Sequence, residues 1–130
     1  MISLVDDETE VLEAVAGQLR SLGYDVKTFE SGHELLVSND IGETECVIAD
    51  VMMPGIDGFE LQRRIALGGF QFPVIFLTAV PGALARERLM LGGAFDVLSK
   101  PCSQQQLVHS LEAALDRYRR MSEAGKHSQT

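Results

Sequence analysis

The amino-acid sequence predicts an α/β fold, in which a parallel sheet is covered by helices on both faces. Short apolar runs of strand length alternate strictly with segments whose apolar residues recur at helical spacing. Such an alternation favours parallel strands joined by crossover helices. Polar residues directly follow most of the apolar runs, at the sheet edge where open α/β folds bind ligands.

The five predicted strands differ in apolar content, and this difference indicates their places in the sheet. The first, third and fourth are almost wholly apolar, as strands buried on both faces are. The second and fifth mix apolar and polar residues and therefore suit the edges. In chain order, the predicted strands cover residues 2–5, 24–29, 46–49, 74–77 and 95–98.

The five predicted helices have recognisable starts and ends. Ser31 with Glu34, and Ser103 with Gln106, form capping boxes at the starts of the second and fifth helices. Glycines at positions 23, 68–69 and 92–93 end the first, third and fourth helices. In chain order, the predicted helices cover residues 11–22, 31–37, 59–67 and 83–91, and the last begins at 103.

These assignments fit the flavodoxin-like (βα)5 three-layer sandwich, whose five-stranded parallel sheet has the order 2-1-3-4-5. The switch point of that order lies between the first and third strands, so we expect a ligand site at their carboxyl ends. The chain length suits one domain, which we assign to residues 1–121. The polar residues 122–130 are expected to form a tail or the start of a linker.

Composition argues against several classes of function. The net charge of −8 disfavours direct nucleic-acid binding by this chain. No apolar run has the length of a membrane span and no signal peptide is visible, so we expect no membrane partner. Cys46 and Cys102 lie in no metal-binding spacing, and a reduced, cytoplasmic protein is the simplest interpretation.

Polar side chains are expected on one rim of the sheet at four strand ends: Asp6 with Asp7, Asp50, Thr78 and Lys100. Each alone has an ordinary explanation as a helix cap, a turn residue or a solvated lysine. Together they indicate phosphoryl chemistry. Three carboxylates repel one another unless a cation lies between them, and Mg²⁺ prefers such oxygen ligands. Asp50 could then attack a phosphoryl group, while Lys100 and Thr78 contact its oxygens.

Four motifs surround these residues: LVDDE at 4–8, ADVMMPGIDG at 49–58, VIFLTA at 74–79 and GAFDVLSKP at 93–101. Together they resemble the motifs of response-regulator receiver domains in bacterial two-component systems. The style is similar to receivers of the nitrogen-fixation-regulator type, which a LuxR-type DNA-binding domain usually follows. The resemblance extends from residue 2 to about residue 120.

The resemblance implies a role for each rim residue. Asp50 would be the phosphoacceptor, Thr78 the switch hydroxyl that follows the phosphate, and Lys100 a contact to it. The implied Mg²⁺ ligands are Asp6, Asp7, Asp50 and the backbone carbonyl of Met52. A cis peptide bond is expected between Lys100 and Pro101, whereas Asp57 is expected to be structural.

By the same resemblance, the chain accepts its phosphoryl group from a sensor histidine kinase or a phosphotransfer protein. Phosphorylation would change the surface of the fourth helix, fifth strand and fifth helix, and a phosphorylation-dependent homodimer is a further expectation. One expected output is transcription, controlled by a DNA-binding domain that is not in this chain. The chain is expected to catalyse only its own phosphorylation and dephosphorylation.

The switch position before the lysine departs from the pattern of the family. Receivers usually carry Tyr or Phe three residues before the lysine, where the ring moves with the switch threonine, and this chain has Val97. Because side chains alternate along a strand, Phe95 is expected on the same face as Val97. We name Phe95 as a candidate substitute for the missing ring, although it occupies a different structural position.

Two alternatives stay open on the sequence. One is a Mg²⁺-dependent phosphohydrolase with the same aspartyl-phosphate intermediate, although haloacid-dehalogenase-like enzymes place their nucleophile after the first strand. The other is an interaction module that works without phosphorylation, which the missing aromatic at Val97 favours.

Overall fold

Five parallel strands form a sheet whose order confirms the predicted fold. The computed structural model describes residues 1–79 and 82–128, with side chains described as far as residue 123. The strands are β1 (Ile2–Val5), β2 (Val26–Phe29), β3 (Cys46–Asp50), β4 (Val74–Thr78) and β5 (Asp96–Ser99). Every neighbouring pair is parallel, and the order is β2-β1-β3-β4-β5. The three most apolar strands are therefore central, as predicted.

Within the described residues, five α-helices connect and flank these strands. They are α1 (Thr9–Ser21), α2 (Gly32–Leu36), α3 (Gly58–Leu67), α4 (Ala83–Leu91) and α5 (Gln104–Ser128). A short 3₁₀ helix at Ile41–Glu43, which no apolar pattern predicted, precedes β3. Because α5 extends to Ser128, the segment expected to be a polar tail begins as a helix. The last two residues of that segment lie outside the described part of the chain.

Local signals explain where several helices begin and end. After α1, Gly23 adopts a positive φ of 95°, which glycine tolerates, and its N–H donates to the Arg20 carbonyl at 3.0 Å. Before α5, the Ser103 hydroxyl oxygen accepts from the Gln106 N–H at 3.1 Å. The Gln106 side chain in turn accepts from the Ser103 N–H at 3.2 Å, which confirms the predicted capping box.

The start of α2 differs from the prediction in one contact. The Ser31 hydroxyl oxygen accepts from the Glu34 N–H at 3.1 Å, as a capping box requires. The Glu34 carboxylate, however, accepts from the N–H of Glu30 at 2.8 Å instead of that of Ser31. Only half of the predicted box therefore forms, because the Glu34 side chain reaches one residue further back.

Two apolar layers pack against the two faces of the sheet. On one face, α2, α3 and α4 contribute the fully buried Leu35, Leu61 and Leu89. On the other face, α1 and α5 contribute the fully buried Leu19 and Leu111. Burial of a side chain of this size stabilises the fold by roughly 1.5–3 kcal/mol. Of the helices described, none combines the length and apolar character that crossing a membrane requires.

Candidate functional site

The sheet register brings the predicted rim residues together. Val5 of β1 is paired with Ala49 of β3. Asp6 and Asp50 are the next residues, so they lie side by side at the carboxyl edge of the sheet. β4 and β5 are paired with Thr78 opposite Ser99, and Lys100 comes directly after that pair. The site thus lies at the switch point between β1 and β3 and continues towards β5, as expected for this strand order.

Three carboxylates form the acidic part of the site. Single carboxylate oxygens of Asp6, Asp7 and Asp50 all lie within 4.8 Å of one another. Asp6 and Asp50 are buried, with 5% and 7% exposure, whereas Asp7 is exposed. The cluster therefore has a buried inner part and one carboxylate that faces solvent.

Backbone groups hold the two buried carboxylates in place. Asp6 Oδ1 accepts a hydrogen bond from the Glu8 N–H at 3.0 Å. Asp50 Oδ1 accepts one from the Val51 N–H at 2.7 Å. These two hydrogen bonds fix the orientation of the carboxylates. The second oxygen of each carboxylate, Oδ2, contacts another residue of the rim.

Lys100 is that partner for both carboxylates. Its Nζ lies 3.2 Å from Asp6 Oδ2 and 3.2 Å from Asp50 Oδ2. Partial burial disfavours the ammonium ion, but the charges of Asp50 and Asp6 and their hydrogen bonds outweigh it and raise the pKa of Lys100. The Lys100 N–H donates to the Thr78 carbonyl at 2.9 Å, and the Lys100–Pro101 bond is cis, as predicted.

The donor set fits a divalent cation such as Mg²⁺. Three carboxylates whose oxygens lie within 4.8 Å of one another are hard oxygen ligands, and the exposed Asp7 leaves one side accessible to water and to phosphate. Lys100 compensates part of the negative charge of Asp6 and Asp50. Net negative charge nevertheless remains for a cation to offset.

The start of α3 lies against the end of β3 and shapes the loop that follows Asp50. The Gly58 N–H donates to the Val51 carbonyl at 2.7 Å. A Cβ atom at Gly58 would lie only 2.8 Å from Val51 Cα, so this close approach requires glycine. Asp57 caps α3, because its Oδ1 accepts from the Glu60 N–H at 2.9 Å. The structural role predicted for Asp57 is therefore confirmed.

Met52 lies in the loop that follows β3, one residue after Val51. Its side chain is 63% exposed, so it contributes little to the core. Gly55, which follows Pro54, has a positive φ of 75°. The role of the Met52 carbonyl as a metal ligand stays a prediction.

The two predicted switch positions lie on adjacent strands. Thr78 is the last residue of β4 and is buried, with 6% exposure. Val97 is also buried, among the core side chains on the face that α2, α3 and α4 cover.

Phe95 does not lie where the alternation of side chains predicted. It packs against the core on the α1 and α5 face, and the Arg117 guanidinium lies 5.6 Å from its ring centre. The expectation that Phe95 and Val97 share a face is therefore wrong. The reason is that β5 begins at Asp96, so strand alternation does not extend back to Phe95.

A polar cluster near Val97 was not predicted. Asp96 Oδ2 accepts a hydrogen bond from the buried Ser110 hydroxyl at 2.9 Å. The Arg86 guanidinium donates to the Val97 carbonyl and lies 3.9 Å from Asp96 Oδ1. Since Arg86, Asp96 and Ser110 belong to α4, β5 and α5, no local sequence pattern predicts their contact.

Comparison with known proteins agrees with this geometry. The family model described as the response regulator receiver domain matches residues 2–112. The chain is 35% identical over 128 residues to the transcriptional regulatory protein TdiR of Thauera aromatica, covering 98% of this chain and 56% of TdiR. It is 34% identical over 124 residues to nodulation protein W of Bradyrhizobium diazoefficiens, covering 95% of this chain and 55% of that protein. The chain thus spans about half the length of these curated relatives.

A solved structure supports the same assignment. The response regulator StyR matches with a TM-score of 0.88 and 30% identity, covering 98% of this chain and 65% of that chain. The sheet order, the residues at its rim and the matched family model point to one conclusion. The chain belongs to the family of response regulator receiver domains, the signal-receiving parts of two-component systems.

Proposed function

We propose that this receiver accepts a phosphoryl group on Asp50 in a Mg²⁺-dependent reaction. The observation that carries the proposal is the cluster of three carboxylates within 4.8 Å, with Lys100 Nζ 3.2 Å from both Asp6 and Asp50. A fixed anionic nucleophile beside a fixed cation meets the main needs of phosphoryl transfer, which are positioning and charge neutralisation. Membership of the receiver family supports the same reaction.

The transfer requires little covalent chemistry from the protein. An oxygen of the Asp50 carboxylate bonds to phosphorus while the bond from phosphorus to the donor breaks. With a phosphohistidine donor, the leaving group is an imidazole nitrogen, which keeps the electron pair of the broken bond. Asp50 becomes an acyl phosphate, and because it attacks as the carboxylate no general base is needed.

The surrounding residues prepare this step. The N–H groups of Glu8 and Val51 orient Asp6 and Asp50 before any ligand arrives. The Lys100 ammonium can turn from the carboxylates to the incoming phosphate oxygens. The Thr78 hydroxyl is assigned as a donor to one of those oxygens.

Asp6, Asp7 and Asp50 would hold Mg²⁺, with the Met52 backbone carbonyl as the remaining protein ligand. When bound, Mg²⁺ supplies positive charge that offsets the charge of the phosphoryl oxygens. The contribution of the chain is to gather these oxygen ligands at one edge of the sheet and to bury two of them.

The proposed donor is a sensor histidine kinase or a phosphotransfer protein. A movement of Thr78 towards the phosphate would change the surface of α4, β5 and α5, with dimerisation as one consequence. We propose transcription as an output, since the relative TdiR is a transcriptional regulatory protein, and we assign DNA contact to a domain outside this chain. The two cysteines are unpaired, which suits a cytoplasmic setting. We assign no catalysis beyond the formation and loss of its own phosphate.

The test is the intact mass of the protein after incubation with Mg²⁺ and a small acyl phosphate. We expect one base-labile phosphate per chain, and none when Mg²⁺ is chelated or when the variant is Asp50→Asn. Asp57→Asn is the matched control, because asparagine also caps helices and this position lies outside the acidic cluster.

Two results would contradict the proposal. If no donor or kinase phosphorylates the wild type, an interaction module independent of phosphorylation becomes the better interpretation, and Val97 is the residue that favours it. If the protein instead hydrolyses phosphate esters over many rapid turnovers, it acts as a phosphohydrolase.

A further inference from the structure

Few side chains hold α4 in place. Of its residues, all of which the structure describes, Leu89 alone is buried, while Leu84 and Leu91 are 77% and 81% exposed. Gly82, at its N-terminal end, provides no side-chain cap. Most helical stability in proteins comes from the packing of an apolar face, and α4 buries little of one. Polar contacts must therefore decide much of the position of α4.

Two long side chains make such contacts with the main chain. From α3, Gln62 Nε2 donates to the Leu89 carbonyl at 2.8 Å, near the C-terminal end of α4. From α4 itself, the Arg86 guanidinium donates to the Val97 carbonyl of β5. Gln62 therefore attaches α4 to α3, and Arg86 attaches it to the edge of the sheet.

Arg86 also faces a carboxylate whose position is already fixed. Asp96 Oδ1 accepts from the Val97 N–H at 2.8 Å, and its Oδ2 accepts from the Ser110 hydroxyl at 2.9 Å. The guanidinium lies 3.9 Å from Asp96 Oδ1, which is an ion-pair distance rather than a hydrogen bond. This cluster connects α4 to β5 and to α5, the three elements of the proposed output surface.

The same helix is linked to the phosphate-handling rim along the chain. Thr78 ends β4 and α4 begins at Ala83, so residues 79–82 are the whole connection between them. β5, which carries Val97, is the strand that pairs with β4. A movement of Thr78 at the end of β4 would reach α4 through β5, to which Arg86 holds the helix.

We infer that Arg86 is a positioning residue that holds α4 against β5 and couples α4 to the change that follows when Asp50 is phosphorylated. The second half of this inference rests on the proposed function. The Val97 side chain is buried and has no polar group. Arg86 therefore contacts the backbone carbonyl of Val97. The coupling depends on the Arg86 guanidinium and not on an aromatic ring at position 97.

Hydrogen–deuterium exchange of the α4 amides tests the first half without phosphate. Arg86→Met removes the hydrogen bond between α4 and the Val97 carbonyl, which stabilises α4 against local opening. Exchange of the α4 amides should therefore become roughly three- to tenfold faster. Arg86→Lys keeps the positive charge, but an ammonium group lacks the planar guanidinium that contacts Val97 and Asp96 together, so we expect an intermediate exchange rate. Glu87→Met is the matched control, because Glu87 is exposed and makes no hydrogen bond or ion pair with any described residue. Unchanged exchange in Arg86→Met, or equal effects in the two methionine variants, would overturn the inference.

The second half is tested by repeating the exchange with Mg²⁺ and a small acyl phosphate, with intact mass as the measure of phosphate on Asp50. Arg86→Met should take up phosphate as the wild type does, since Arg86 is not part of the acidic cluster. The phosphate-induced change in α4 exchange should fall to less than half of that in the wild type. Equal changes at equal phosphorylation would refute the coupling. A wild type that takes no phosphate refutes the proposed function and the coupling, whereas the positioning role of Arg86 is decided by the first experiment.

Discussion

Gly58→Ala tests how closely α3 must approach β3 to present Asp50 at the rim. A methyl group at Gly58 would lie 2.8 Å from Val51 Cα and 3.2 Å from the Asp50 carbonyl oxygen. Both are backbone atoms and cannot rotate away as the end of a flexible side chain can. We therefore expect α3 to move away from β3 by about half an ångström to restore ordinary contact distances.

Two effects of opposite sign compete in this variant. Alanine is the better helix former, and replacing a helical glycine by alanine stabilises by about 0.5–1 kcal/mol. Inserting a methyl group into a packed contact costs about 1–3 kcal/mol. Because the nearest atom, Val51 Cα, belongs to the backbone, overpacking should prevail, and we expect the free energy of unfolding to fall by about 1–2 kcal/mol.

Gly17→Ala separates the two effects. Gly17 lies within α1, and apart from its chain neighbours and the adjacent backbone of α1, no described atom lies within 4 Å of a methyl group placed there. This variant should show the helix-propensity gain alone, about 0.5–1 kcal/mol. Urea denaturation followed by circular dichroism measures both free energies of unfolding. A Gly58→Ala protein that is as stable as the wild type, beside a Gly17→Ala protein that gains stability, would refute the reasoning.

Three further predictions concern single contacts, each measured by urea denaturation. Lys100→Met leaves Asp6 and Asp50 without their cation, so without Mg²⁺ the wild type should be more stable than the variant by about 1–3 kcal/mol at pH 7. The folded-state pKa of Lys100 is raised above its unfolded value of about 10.4, so this difference in the free energy of unfolding is complete below pH 10.4. It is lost as the pH rises through the folded-state pKa. A difference that grows there would contradict the ion pairs assigned to Lys100. Asp57→Ala removes the cap of α3 and should cost about 1 kcal/mol, whereas Asp57→Asn should cost almost nothing, and equal losses would exclude a capping role. Thr44→Val leaves the buried Ser3 hydroxyl, now 2.7 Å from Thr44 Oγ1, without that partner and should cost about 1–3 kcal/mol. Adding Ser3→Ala should recover part of the loss, and no recovery would show that the hydrogen bond is not its cause.

Local patterns predicted the fold and the grouping of the rim residues. Strands and helix ends depend on residues that are neighbours in sequence, so a local pattern predicts them. Examples are the apolar run 46–49, which forms most of β3, and Gly23, which follows α1. Because strand order brings carboxyl ends to one edge, Asp6, Asp50 and Lys100 could be placed together before any coordinates were known. The role of Asp50 as phosphoacceptor stays a prediction until its phosphate is measured.

Tertiary structure alone decided contacts between residues that are distant in sequence. Phe95 lies on the face opposite to Val97 because β5 begins one residue later than the apolar run suggested. In the sequence Gly58 is only the last residue of the motif at 49–58, and the approach of α3 to β3 shows that no side chain fits there. The contacts of Arg86 with Val97 and Asp96 depend on how α4 packs against β5. Periodicity and capping describe interactions within an element, so they cannot specify contacts that packing between elements creates.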